Sequence, residues 1–81
     1  MIQLSRKWTQ QLITQPEAGM GYQIATVVLA DGRRFERVII DSGYITRIKD
    51  VVGIPFTEAE IQDIIVTNDK WDFNSERSKA P

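Results

Sequence analysis

The chain has 81 residues, a formal net charge of −1, and neither cysteine nor histidine. A domain this small buries only roughly 60% of its unfolded surface, so its core is thin and a second copy of the chain would help to stabilise it. Without Cys or His there is no disulfide framework, no thiol nucleophile, no usual zinc, iron or copper ligand set and no imidazole base, so neither a metal nor a cofactor is expected.

No apolar run approaches the length of a membrane span, and the opening MIQLSRKW lacks the apolar region of a signal peptide. A cytoplasmic address without membrane contact is therefore expected. Within Met1–Gln15, Leu4, Trp8 and Leu12 recur at spacings of four, which predicts a short amphipathic helix with Ser5 as its N-cap. The competing reading makes QQLIT an edge strand, and Pro16 ends either. Gln15–Gly21 is predicted as a loop. Its Gly19-Met20-Gly21 fails as a phosphate-binding motif, because it precedes a strand and position 24 is Ile.

Tyr22–Ile48 reads as two consecutive β-hairpins. Asp31-Gly32 predicts a two-residue turn that pairs Ala30 with Arg33, Val28 with Phe35 and Ile24 with Ile39. One face then carries Ile24, Val28, Phe35 and Ile39, and the other Ala25, Val27, Leu29, Val38 and Ile40. A sheet apolar on both faces is curled, covered on both sides, or part of an oligomer. For the second turn, a two-residue Ser42-Gly43 loop pairs Ile40 with Ile45 and Glu36 with Lys49. A three-residue loop would instead set Arg37 against Arg47, and the first avoids that like-charge contact.

Ile54-Pro55 punctuates the chain after the third strand. Thr57 with Glu60 then forms a capping box, and Phe56 with Ile61 a hydrophobic staple, so a capped helical turn is predicted at 58–62. A final strand is expected at about Ile64–Thr67, followed by a segment in which Trp71 and Phe73 alternate with polar residues. The expected fold is mainly β (α+β): an antiparallel meander of about four strands, curved into a partly open small barrel. A short N-terminal helix and the one capped turn complete it. Residues 1–74 form the single domain, and 75–81 a disordered tail.

Charge is uneven. From Arg33 to Lys49 there are five basic residues against two acidic, and from Asp50 to Glu76 seven acidic against Lys70 alone. The candidate binding residues are accordingly Arg33, Arg34, Arg37, Tyr44, Arg47 and Lys49, the cations for phosphates and tyrosine for stacking. The plainer account is that each half's solvent face carries its own sign and the halves attract.

The succession GMGYQ, DGRRFERVII, IPFTEAEIQDIIVT and DKWDF resembles a group of short bacterial proteins of unknown function over about Gly19–Phe73. That resemblance implies one intact domain and no particular chemistry. A looser one is to Sm-like RNA-binding small barrels, in which a helix precedes bent strands with a pattern like VVLADGRRF at the first hairpin. Here RRFERVII lacks the usual glycine, and Asp41-Ser42-Gly43 lacks the asparagine of the base-binding loop. The resemblance therefore implies the barrel more than the RNA site.

Three functions compete. The first is a non-catalytic protein-interaction module, binding a protein partner or a second copy of itself; it rests on the two apolar hairpin faces and on Trp8 and Trp71. The second is nucleic-acid binding through the arginine surface, which the net charge does not favour. The third is catalysis by Glu58, Glu60 and Asp63. A capping role for Glu60 and the divergence of Glu58 from it on a helix argue for a solvated acidic face instead. No catalytic motif is present, and no enzyme activity is expected.

Overall fold

The computed structural model describes residues 1–70; the predicted Trp71–Phe73 segment and the 75–81 tail lie outside the described residues. Its elements are β1 (Ile2–Gln3), α1 (Arg6–Leu12), β2 (Tyr22–Leu29), β3 (Arg34–Asp41), β4 (Tyr44–Ile48), a 3-10 turn (Glu58–Glu60) and β5 (Ile61–Val66). The strands form one antiparallel sheet in the order β1-β4-β3-β2-β5, curled into a half-barrel.

The meander is where the alternation placed it, but its first turn differs. The loop is Ala30-Asp31-Gly32: the Leu29 N–H donates to Arg33 O at 2.8 Å and Gly32 alone has positive φ, at 95°. The Asp31 carboxylate accounts for this. It accepts the Arg33 N–H at 3.0 Å and the Arg33 guanidinium at 2.7 Å, a local bond that holds the wider turn. Val28 therefore faces Arg34 and Val27 faces Phe35, not the expected partners. A bulge at Glu36-Arg37, opposite Thr26, takes up one residue, and from Ala25–Val38 onward the expected register holds, Ile24 facing Ile39. The slip moves Phe35 to the core side, where its ring lies 5.2 Å from that of Phe56.

The second turn is the two-residue Ser42-Gly43 loop, with φ of 52° and 84°, and Ile40 faces Ile45 as expected. A second irregularity at Thr46 then shifts the pairing, so that Arg37, not Glu36, accepts the Lys49 N–H. At the chain's later end the helical turn is a 3-10 turn two residues shorter than the expected 58–62. Glu60 Oε1 accepts the Thr57 N–H at 2.9 Å, as the capping box requires, but Ile61 is already extended and β5 runs to Val66. The β-branched run from Ile61 favours strand over helix once β2 offers an edge.

α1 buries Trp8 and Leu12, and Leu4 just before it, in the core with Val27, Leu29, Val38 and Ile45, the last four fully enclosed. It also guards the sheet's edge. Gln11 Nε2 donates to Ile64 O at 3.2 Å, while the Ile64 N–H donates to Asp63 Oδ1 at 2.8 Å, so both outward groups of that β5 residue are occupied. The opposite sheet face carries a smaller cluster of Ile24 and Ile39 with Tyr22 against it. Both faces are thus apolar in part, as the alternation implied. Among the described residues no helix is long and apolar enough to cross a membrane.

Candidate binding cleft

The fold divides the predicted basic residues among the first turn, one sheet face and a recess at the bulge. Arg33 is engaged by Asp31 and, at 3.4 Å, by Glu60, so its charge is already matched. That backbone and guanidinium bonding also holds the Asp31 carboxyl below its usual pKa, the Arg33 N–H contributing most. Lys49 Nζ meets Asp50 at 3.4 Å. Arg34, Tyr44 and Arg47 share the face of Ile24 and Ile39, since they stand opposite Val28, Asp41 and Ile39 in the register. Arg37 sits at the bulge with φ 53°. With Arg34 and Lys49 it borders a recess of about 420 Å³ that Glu36 and Asp50 also line, so that recess carries both signs.

The acidic residues are likewise in use. Glu60 holds Thr57 and Arg33, and Asp63 holds the Ile64 N–H. Among the described residues no three Asp or Glu side chains come close enough together to hold a metal ion.

The larger cavity lies elsewhere, between the end of α1, the 15–17 loop and the Ser42-Gly43 turn. It measures about 600 Å³, within the range of pockets that hold small ligands or peptide side chains. Leu12, Ile13, Pro16 and Ile40 supply its apolar wall. Ile13 is 83% exposed at its rim, and Met20 in the adjoining loop is fully exposed.

Its shape follows from three contacts. The last carbonyls of a helix have no partner within the helix. Here Gln23, reaching over from β2, donates its Nε2 to Leu12 O at 2.9 Å, and to the carbonyls of Gln15 and Pro16 at 3.2 and 3.3 Å. Asn68 fastens the same loop from the other side, donating to Pro16 O and accepting the Ile24 N–H, both at 2.9 Å. Gly43 brings the β3–β4 turn against the helix: a Cβ there would lie 3.4 Å from Thr9 Cγ2, at a φ that side chains avoid.

None of the six predicted binding residues lines this cleft. Gln23 is the residue the sequence reading passed over. The signal was a lone amide in YQIATVVL at a position whose strand neighbours Ala25, Val27 and Leu29 all face the core.

Fold and cleft together define a small curled β-sheet protein with a helix packed on its core face and a lateral pocket at the helix end. No family model, curated protein or solved structure matches the chain.

Proposed function

We propose that this chain is a small non-catalytic protein-interaction module that acts in the cytoplasm and binds a segment of a partner protein in the cleft beside α1. The observation that carries this reading is the apolar wall of that cleft with Ile13 standing exposed at its rim. Apolar side chains gathered at a concave rim are what an incoming side chain can cover, and such anchors hold most of the energy of an interface. Peptides selected from a random displayed library should shift the amide resonances of Leu12, Ile13, Gln23 and Gly43 in the labelled protein. Ile13→Asp should weaken them by roughly tenfold or more. Selected peptides that leave those amides unmoved would overturn the proposal.

The nucleic-acid reading retains one supporting observation, the common face of Arg34, Tyr44 and Arg47. The same spectra recorded with single-stranded oligonucleotide separate the two. Salt-sensitive shifts at those three residues, with the cleft silent, would put nucleic acid in place of the protein partner.

A further inference from the structure

The cleft is lined by a largely covered amide side chain whose orientation is imposed from behind. Gln23 is only 8% exposed, and its amide nitrogen is committed to the carbonyls of Leu12, Gln15 and Pro16. An amide NH₂ has two donors, so these three carbonyls saturate it and settle which end of the side chain is nitrogen. Gln23 Oε1 is turned the opposite way and accepts no hydrogen bond from any described residue. No buried side-chain polar atom among them is left without a partner, so this oxygen keeps some access to solvent, and Gln23 is one of the residues that line the cleft.

An occupant lacking a donor would cover that oxygen and strand it, which is how a polar site rejects apolar analogues. The surrounding charge has one sign. Glu17 lines the cleft, no Lys or Arg among the described residues does, and the Asp41 carboxylate accepts Ser42 Oγ at 2.9 Å beside it.

Resting on the cleft as the binding site, we infer that the partner segment presents a lysine next to a branched apolar side chain. The ammonium donates to Gln23 Oε1 and faces Glu17, while the apolar neighbour covers Ile13 and Ile40. Lysine suits a single fixed acceptor with a carboxylate nearby, whereas the guanidinium fork of arginine is matched to bidentate partners.

The test uses three capped peptides, acetyl-Gly-Leu-Lys-Leu-Gly-amide and its forms with norleucine or glutamate for lysine. Each is titrated by NMR into the wild-type protein and into Glu17→Gln. The lysine peptide should shift the Gln23 side-chain amide and bind roughly tenfold tighter than the norleucine peptide, with the glutamate peptide weakest. Glu17→Gln should weaken the lysine peptide by about two- to threefold and leave the norleucine peptide unchanged. Equal binding of lysine and norleucine would overturn this inference while the cleft remained a protein-binding site. Silence of the cleft amides with all three and with library-selected peptides would instead remove the cleft reading itself.

Discussion

Arg37 adopts φ 53°, in the left-handed region that costs a residue with a Cβ about 1–2 kcal/mol. It does so because β3 must absorb one residue between two runs of pairing, and the bulge concentrates the distortion there. Arg37→Gly and Arg37→Ala both lose the side chain, but only glycine relieves the backbone. The glycine variant should be the more stable of the two by about 1 kcal/mol in urea titration. Equal midpoints would mean that the bulge is not left-handed in solution. Gln23 shows another side of the residue scale. One amide closes a helix end, fixes a loop and orients an acceptor, and no apolar residue of the same volume can do all three.

Among the elements, the 15–17 loop is held in place by other parts of the chain. Pro16 O receives hydrogen bonds from Gln23 on β2 and from Asn68 beyond β5. Asn68 stands at φ 51°, a conformation asparagine tolerates, and its side chain serves both the loop and the Ile24 N–H. Asn68→Ala leaves that N–H without a partner, takes one of two donors from Pro16 O, and sets at positive φ a residue that tolerates it less well than asparagine. A loss of about 1–3 kcal/mol in unfolding free energy is expected. Asn68→Asp keeps the acceptor for Ile24 and loses only the donor to Pro16, so it should fall between Ala and wild type. If the two variants proved equally stable, the Ile24 bond would not be the one that matters.

For the whole molecule, a thin core makes large anchors expensive to lose. Trp8 is buried between α1 and the sheet, with the Lys7 ammonium 4.7 Å from its ring centroid. Trp8→Ala should cost about 3–5 kcal/mol, a large share of the roughly 5–15 kcal/mol that holds a domain folded. Ile13, on the same helix end but exposed, should change stability by no more than about 0.5 kcal/mol when replaced by Asp. Denaturant unfolding of the two variants checks both values. The contrast is also the control for the binding tests, since Ile13→Asp then weakens a partner without unfolding the protein.

Several features were legible from local patterns alone. The spacing of Leu4, Trp8 and Leu12 marked α1, alternation marked the two hairpins, and Thr57 with Glu60 marked the capped turn. Each depends on residues two to four apart, which fix which side chains share a face before any packing occurs. β1 was not visible, because two residues carry no period and Ile2 pairs only once Ile45 is in place. The register near Asp31 was missed because a turn residue bonded its own neighbour, and a bulge six residues away restored the count. The cleft was missed for a related reason. Its defining contacts join Gln23 to Leu12 and Asn68 to Pro16, across 11 and 52 residues. Sequence by itself determined α1, the hairpin strands and the capped turn, with most of the faces they bury, because those follow from local period. Only the tertiary structure decided registers, edge protection and where an acceptor points, because these depend on which distant backbone groups are left to be satisfied.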